Sequence, residues 1–320
     1  MTIGILSVGL GLICLALVII FGGPTRPAAM ASINNPFESV DFRDLPPLLS
    51  FRARDGKSLA YREYAPSQSK QRGSVTLIHG SSASSSSMHP MAKALATAGY
   101  RVYALDVRGH GASGVKGQID FVGQLESDLE TFVATVRPPA PATLLGFSSG
   151  AGFVLRFAGS EHGSLFDSYL LLSPFISQDA PNQRPASGGW ASVGGPRIVA
   201  LGILNAVGVR AFNSLPVVSF ALSEEARAFL TADYSYNLAM NFRPRRDFLA
   251  NIRSVSRPCA VIAGAQDEVF YTDKLQEIVH TAGKNWPVVL LPGIGHISVT
   301  LDPAALDAVV RQVSRLQQAQ

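Results

Sequence analysis

A serine between two glycines interrupts an apolar run near the middle of the chain. Residues 144–152 have the sequence LLGFSSGAG, in which Gly146 and Gly150 lie two positions on either side of Ser148. This G-x-S-x-G pattern is typical of a strand that turns sharply into a helix, with a strained backbone at the serine and no room for side chains at the glycines. The pattern predicts an exposed, nucleophilic hydroxyl at the end of a sheet. A Gly/Ser loop that caps a helix is the structural alternative.

The same turn predicts donors for a negatively charged oxygen. The backbone N–H of Ser149 opens the following helix, whose positive end favours an oxyanion formed at Ser148. A second donor is expected in the turn after another buried strand, residues 74–78, which is followed by His-Gly-Ser-Ser. The backbone N–H of Ser81 is the candidate in that turn.

An acid and an imidazole follow two later strand-like runs. Asp267 comes shortly after the apolar run 259–263, and His296 follows the last such run, 288–291. An acid at the end of a strand can orient a histidine, which in turn can remove the proton of a serine. The neighbouring Glu268, or a helix-capping role for Asp267, is the alternative at the acid position. A buried structural histidine is the alternative at His296.

Other histidines and cysteines give no sign of a metal or cofactor. His79 and His110 lie beside glycines in predicted turns, where an imidazole commonly hydrogen-bonds the backbone, so we expect structural roles. The sequence lacks the ligand spacings H-E-x-x-H and C-x-x-C, and it lacks a Walker or dinucleotide glycine fingerprint. No cofactor is expected. The net charge of +4 is spread without a basic, aromatic-containing stripe, which argues against a nucleic-acid partner.

Together, these motifs resemble the α/β-hydrolase superfamily, and within it the branch of monoacylglycerol lipases, lysophospholipases and serine-aminopeptidase-like enzymes. The resemblance covers about residues 51–316 and rests on strand-H-G-x, strand-D-x-R-G-x-G-x-S, G-x-S-x-G, G-x-x-D and G-H in that order. It implies these roles: Ser148 as nucleophile, Asp267 as acid, His296 as base, and the N–H groups of Ser81 and Ser149 as oxyanion donors.

The resemblance also implies a function. It predicts a serine hydrolase that cleaves carboxylic esters through an acyl-enzyme, with monoacylglycerol- or lysophospholipid-like substrates. Acyltransferase or peptidase chemistry on the same triad, and a catalytically silent hydrolase fold used for binding, are the alternatives. Dehalogenases and epoxide hydrolases are disfavoured because they need an aspartate where Ser148 stands. The expected partners are a small ester or lipid substrate and a membrane, and the sequence leaves the oligomeric state open.

The positions of these motifs also predict how the chain is organised into a domain and a cap. The expected fold is an α/β-hydrolase domain over residues 49–320, with a mostly parallel sheet, helices on both faces and an antiparallel hairpin at its start. The interval from Ser148 to Asp267 is longer than the roughly 60 to 75 residues that two strand–helix crossovers need, which predicts an inserted cap over about residues 178–251. Three cap arginines, Arg243, Arg245 and Arg246, either meet an anionic headgroup or form a solvated basic face.

The amino-terminal end is predicted as a separate element. Residues 3–21 contain no charged residue and are long enough to cross a bilayer as a helix. We therefore expect an N-terminal transmembrane helix within residues 1–23, a single-pass membrane localisation and a linker over residues 24–48. The side of the membrane is left open because Arg26 is the only nearby charge. A cleaved signal ending near Ala29-Met30-Ala31 and a buried start are the alternatives.

Overall fold

The computed structural model describes residues 2–68 and 71–318. Its strands, in chain order, are β1 (Leu49–Arg52), β2 (Ser58–Tyr64), β3 (Gly73–Ile78), β4 (Tyr100–Leu105), β5 (Ala142–Phe147), β6 (Ser168–Leu172), β7 (Ala191–Val193), β8 (Pro216–Phe220), β9 (Asp233–Ser235), β10 (Cys259–Gly264) and β11 (Val288–Leu291). Its α-helices are α1 (Thr2–Phe21), α2 (Ala31–Asn34), α3 (His89–Thr97), α4 (Gln124–Val136), α5 (Ser149–Ala158), α6 (Gly195–Ala206), α7 (Glu224–Phe229), α8 (Tyr236–Asn241), α9 (Phe248–Ser254), α10 (Leu275–Thr281) and α11 (Pro303–Gln318).

The main sheet has the strand order β1-β2-β4-β3-β5-β6-β10-β11. Strand β2 pairs antiparallel with β1 and with β4, and the other neighbours in this sheet (β4-β3-β5-β6-β10-β11) pair in parallel. The central strands β3, β5, β6 and β10 are buried along their whole length, which matches their continuous apolar sequences. The predicted hairpin at the start of the sheet turns at Gly56, whose φ is 79°. The mostly parallel sheet with an antiparallel start is therefore as expected.

A second, smaller sheet lies between β6 and β10 in the chain, where the sequence predicts the cap. Strands β7, β8 and β9 pair antiparallel in it, and helices α6 to α8 accompany them. This region has its own small core, in which Ala200, Leu201 and Val217 are buried. We refer to this part of the structure as the cap.

The predicted transmembrane helix is wrong, and so is the single-pass membrane localisation derived from it. Within residues 2–68 and 71–318, no helix combines the length and the apolar character that a membrane crossing requires. Met1 lies outside the described residues. The described end of α1 packs on the cap instead: Ile19 is buried against Leu201, and the Arg197 guanidinium donates hydrogen bonds to the carbonyls of Ile19 and Ile20, both at 2.7 Å.

The segment predicted as a linker lies across the cap and the core. Residues 30–44, which we call the strap, contain α2 and a 3-10 turn. At one end the Met30 N–H and the Asn34 side-chain amide both donate to the Ala221 carbonyl of the cap, at 2.9 and 3.0 Å. At the other end the Asp44 carboxylate accepts a hydrogen bond from the buried His89 ring of the core, at 3.0 Å. The strap is therefore joined to both parts of the molecule.

Candidate active site

The turn at Ser148 connects β5 to α5 at the carboxyl edge of the main sheet. Ser148 has a φ of 55° and a ψ of −120°, a conformation that costs a non-glycine residue energy and persists only where the surroundings enforce it. A Cβ at Gly146 would lie 2.5 Å from the Gly150 carbonyl oxygen, and one at Gly150 would collide with the backbone of Ile78 and His79 at the end of β3. Both glycines are needed because backbone passes where a side chain would be.

Three predicted site residues meet above this edge. The His296 Nε2 atom lies 3.0 Å from the Ser148 hydroxyl oxygen, and the His296 Nδ1 atom lies 2.8 Å from the Asp267 carboxylate. All three side chains are at least 96% buried. They come from the loops after β5, β10 and β11, so the parallel strands deliver them to one edge of the sheet.

The two adjacent acids after β10 have different partners. Asp267 binds the imidazole through one oxygen and accepts the backbone N–H groups of Val269 and Phe270 with the other, both at 2.9 Å. Burial would raise the pKa of Asp267, but the His296 charge and these hydrogen bonds outweigh burial and lower it. Glu268 instead accepts the backbone N–H of His296, at 2.9 Å, and does not bind its ring.

The two predicted oxyanion donors lie beside Ser148. Both Ser81 and Ser149 line cavities that also contain the Ser148 hydroxyl. Among the described residues, neither of their backbone N–H groups has a hydrogen-bond acceptor. The Ser81 hydroxyl is occupied, because it accepts a hydrogen bond from the indole of Trp190 at 2.9 Å. The side chain of Ser81 is therefore fixed against the cap while its N–H remains available.

The turn that carries Ser81 is held by Tyr234 of the cap. The Ser82 N–H donates to the Tyr234 hydroxyl at 2.9 Å, and that hydroxyl lies 2.6 Å from His110 Nε2. The Ser82 hydroxyl also donates to the Thr231 carbonyl, at 2.5 Å. Ser82 has a φ of 68°, which these contacts stabilise. No local sequence pattern marks Tyr234, because its partners lie more than a hundred positions away in the chain.

His79 and His110 hydrogen-bond the backbone, as expected for structural histidines. The His79 Nδ1 atom lies 2.8 Å from the carbonyl oxygen of Gly80, and its Nε2 atom accepts a hydrogen bond from the Val107 N–H at 3.2 Å. His110 Nδ1 faces the Val107 carbonyl at 3.2 Å, so its Nε2 accepts from the Tyr234 hydroxyl. Burial lowers the pKa of both imidazoles, which keeps them neutral.

Two cavities open at Ser148. The strap cavity has a volume of about 700 Å³ and lies between the strap, the core and α7; its wall includes Ile33, Phe37, Phe42, Phe147, Phe229 and His296. The cap cavity has a volume of about 350 Å³ and lies under the cap; its wall includes Ser149, Phe175, Val199, Met240, Arg243 and Phe270. Both volumes lie within the range of small-molecule sites. Trp190 and Ser81 lie at the boundary and line both cavities.

The cap arginines do not act as one cluster. Arg243 lines the cap cavity and donates to the uncharged Gln178 side chain at 3.1 Å, whereas Arg245 and Arg246 are exposed. The strap residues of the other cavity were missed at the level of sequence, where they belong to a Pro- and Asn-containing stretch without apolar periodicity. Only their position across the core brings them to Ser148.

This arrangement defines the class of protein. A strained serine turn after a central parallel strand, an acid and a histidine after the next strands of the sheet, and an inserted cap are the features of an α/β-hydrolase. Residues 69–300 match the family described as Hydrolase_4, serine aminopeptidase, S33, and the chain belongs to this family. The resemblance seen in the sequence is therefore confirmed.

Curated relatives match a part of the chain. A monoacylglycerol lipase of Mycolicibacterium smegmatis is 32% identical over 132 residues, which are 40% of this chain and 46% of that protein. An uncharacterized abhydrolase domain-containing protein of Dictyostelium discoideum is 31% identical over 104 residues, which are 32% of this chain and 11% of that protein. The chain thus aligns with less than half the length of these relatives.

Solved structures match most of the chain. A soluble variant of the monoglyceride lipase of Saccharomyces cerevisiae has a TM-score of 0.64 at 18% identity, covering 88% of this chain and 98% of that one. The monoacylglycerol lipase of Paleococcus ferrophilus has a TM-score of 0.61 at 17% identity, covering 82% and 99%. At these identities the likeness establishes the fold, and the predicted α/β-hydrolase fold with its mostly parallel sheet is confirmed.

Proposed function

We propose that this protein is a serine hydrolase of carboxylic esters in which Ser148, His296 and Asp267 form the catalytic triad. The observation that carries the proposal is the continuous hydrogen-bonded chain from the Ser148 hydroxyl through the His296 ring to the Asp267 carboxylate, with spacings of 3.0 and 2.8 Å. Membership of a hydrolase family and the names of its relatives support it.

Acylation follows from the positions of the atoms. His296 Nε2 accepts the Ser148 proton as the serine oxygen attacks the ester carbonyl. The carbonyl oxygen becomes an oxyanion, for which the free N–H groups of Ser81 and Ser149 are the donors. Asp267 accepts a hydrogen bond from His296 Nδ1–H, which leaves Nε2 as the base and stabilises the imidazolium. The imidazolium then protonates the leaving alcohol oxygen, and the C–O bond breaks.

Deacylation repeats these steps with water. A water molecule takes the place vacated by the alcohol, His296 Nε2 removes one of its protons, and the resulting oxygen attacks the acyl carbon. Collapse of the second tetrahedral intermediate returns the proton to Ser148 and releases the carboxylic acid. The same oxyanion donors serve both stages because the carbonyl oxygen stays in place.

The proposed substrates are monoacylglycerol- or lysophospholipid-like esters. Both cavities beside Ser148 have mainly apolar walls, which suit an alkyl chain. The relatives from Mycolicibacterium smegmatis and Saccharomyces cerevisiae are named as lipases of monoacylglycerides, which also supports this class of substrate.

A fluorophosphonate probe tests the proposal. We expect covalent labelling of the wild type at Ser148, no labelling of Ser148→Ala, and hydrolysis of p-nitrophenyl butyrate by the wild type alone. Turnover of p-nitroanilides in preference to esters would replace the proposal with the peptidase alternative, and acyl transfer to an added alcohol in preference to water would replace it with the acyltransferase. A folded wild type that does not react with the probe would indicate a silent binding module.

A further inference from the structure

The strap forms a wall of the active site although it lies outside the part of the chain that matches the family. The family match begins at residue 69, whereas Ile33, Phe37 and Phe42 of the strap all border the strap cavity. Hydrogen bonds to the Ala221 carbonyl at one end and to His89 at the other hold this wall in place. The role of the strap is therefore a property of this chain's own amino-terminal segment.

The two cavities differ in which catalytic groups they contain. His296, whose Nε2 atom carries the proton for the leaving group, belongs to the wall of the strap cavity. Ser149, whose N–H faces the carbonyl oxygen, belongs to the wall of the cap cavity. Ser148 lies at their junction and lines both.

Proton transfer assigns the two halves of an ester to these cavities. In the tetrahedral intermediate the leaving oxygen must lie within hydrogen-bond reach of His296 Nε2, so the alcohol half extends to the side of His296. The acyl half must then extend away from His296, and the cap cavity, which Ser148 also lines and His296 does not, is available to it. We propose that the strap builds the alcohol-binding subsite, that the cap cavity takes the acyl chain, and that Phe37 of the strap is a specificity-determining residue. This assignment rests on the proposed ester hydrolysis.

The wall chemistry defines the alcohol class. The strap presents apolar side chains near Ser148, and its Glu38 joins Glu225 of α7 in the cavity wall. Hydrogen bonds from the backbone and from Ser223 lower the pKa of Glu225, so its carboxylate is ionised at neutral pH. An anionic alcohol group such as a phosphate monoester meets like charges there, whereas an uncharged alcohol with an apolar body does not. The subsite therefore suits uncharged alcohols larger than methanol, so among the proposed substrates it favours monoacylglycerol-like over lysophospholipid-like esters.

Two substrate series and two matched variants test the assignment. The acyl series consists of p-nitrophenyl esters from acetate to octanoate, and the alcohol series consists of butyrate esters from methanol to octanol. The variants are Phe37→Ala in the strap cavity and Met240→Ala in the cap cavity, each removing one apolar wall residue. Active sites are counted with a small fluorophosphonate, so that kcat/KM refers to folded enzyme only.

We expect the two variants to change opposite series. Each buried methylene adds up to about fourfold to kcat/KM, so Phe37→Ala should lower the octyl-to-methyl ratio several-fold and leave the octanoate-to-acetate ratio within about twofold. Met240→Ala should do the reverse. The hydrolysis rate of the butyryl-enzyme should be the same in wild type and Phe37→Ala, because the alcohol has already left.

An effect of Phe37→Ala on the acyl series would overturn the assignment. So would the absence of any effect of Phe37→Ala on the alcohol series.

A second experiment tests the charge of the subsite. The double variant Glu38→Gln/Glu225→Gln should reduce the preference for glycerol butyrate over phosphoglycerol butyrate several-fold at low salt. Glu224→Gln should leave this preference unchanged, because the Glu224 carboxylate pairs with Arg26 outside the cavity. An unchanged preference in the double variant would contradict the charge argument. Failure of the proposed function itself is distinct, since wild type would then neither label nor turn over.

Discussion

At the scale of single residues, neighbouring side chains with the same chemistry perform different tasks. Asp267 and Glu268 are adjacent carboxylates, yet one binds the His296 ring and the other binds the His296 backbone. The difference arises because Asp267 is buried and held by two backbone N–H groups, which aim its free oxygen at the imidazole. Position within the turn after β10, rather than residue type, separates the two.

Substitution of the buried acid tests this separation. Asp267→Asn should lower kcat by on the order of 10⁴-fold, because an amide favours the tautomer of His296 whose Nε2 cannot accept the Ser148 proton. Glu268→Gln is the matched control, since an amide oxygen still accepts the His296 N–H, and we expect less than a tenfold loss. Steady-state kinetics on p-nitrophenyl butyrate measures both. Equal losses would mean that the two acids share the role.

Removal of the Tyr234 hydroxyl tests the support of the oxyanion turn. Tyr234→Phe keeps the ring packing but leaves the Ser82 N–H and His110 Nε2 without their partner, at a cost of about 1–3 kcal/mol in the free energy of unfolding. We expect kcat to fall more than KM rises, because the turn carries the Ser81 N–H. Denaturant unfolding and kinetics measure the two effects.

The half-exposed Tyr271 provides the control for this substitution. Within residues 2–68 and 71–318 its hydroxyl forms no hydrogen bond, so Tyr271→Phe should change neither the free energy of unfolding nor kcat. Loss of stability in Tyr234→Phe without any loss of kcat would show that the turn keeps its place without the hydroxyl.

At the scale of elements, the close approach of β3, β5 and α5 produces the strained turn at Ser148. The first turn of α5 passes so near to the end of β3 that Gly150 has no space for a methyl group. The resulting turn forces Ser148 into its positive φ, and the strand before it fixes the direction in which the hydroxyl points. The geometry of the Ser148 turn is thus set by the packing of three backbones.

Alanine substitutions at two helical glycines distinguish this steric constraint from the ordinary effect of glycine on helix stability. Gly150→Ala should destabilise the protein by several kcal/mol or prevent folding, because its Cβ collides with the His79 and Ile78 carbonyls. A Cβ at Gly202 in α6 would lie 3.8 Å from the Tyr236 hydroxyl oxygen, an ordinary contact, so Gly202→Ala should raise the free energy of unfolding by about 0.5–1 kcal/mol. Thermal and denaturant unfolding measure both changes. A well-folded Gly150→Ala with full activity would contradict the packing argument.

At the scale of the whole molecule, the amino-terminal segment joins the cap to the core. Within the described part of the chain, the buried Arg197 guanidinium forms no ion pair; it donates to the carbonyls of Ile19, Ile20 and Pro216, each at 2.7 Å. Carbonyls at the end of a helix lack partners within the helix, and an arginine fork satisfies several at once. The Arg197 side chain therefore connects the end of α1 to strand β8 of the cap by hydrogen bonds.

Replacement of this arginine tests the connection. Arg197→Met keeps much of the volume but leaves three carbonyls without donors, so we expect faster proteolysis within residues 10–30 and faster amide exchange at the end of α1. Esterase activity per labelled active site should stay within a few-fold, because Arg197 lines neither cavity. The exposed Arg210 offers the control variant, Arg210→Met. Protection equal to wild type in Arg197→Met would mean that apolar contacts around Ile19 suffice.

The turn at Ser148, the chain order of the candidate site residues and the main sheet were predictable from the sequence because they depend on local patterns. The glycines around Ser148 are needed by a turn only five residues long, and continuous apolar runs such as 74–78 are the signature of buried parallel strands. The order of Ser148, Asp267 and His296 follows from the order of these strands. Parallel strands bring their carboxyl ends to one edge, so residues far apart in the chain were expected to meet, and the structure brings them together at hydrogen-bond distances.

Tertiary structure alone decided what surrounds that edge. An apolar run such as residues 3–21 has the same composition whether it meets lipid or protein, and only the fold shows Ile19 packed on the cap. The strap has no periodicity that marks it as a cavity wall, because its side chains are selected by contacts with distant parts of the chain. Tyr234 supports the oxyanion turn across an interval of 152 residues for the same reason. Sequence by itself determined the local geometry of the Ser148 turn and the succession of buried strands along the chain, whereas the shape of the cavities depends on long-range packing that no local pattern records.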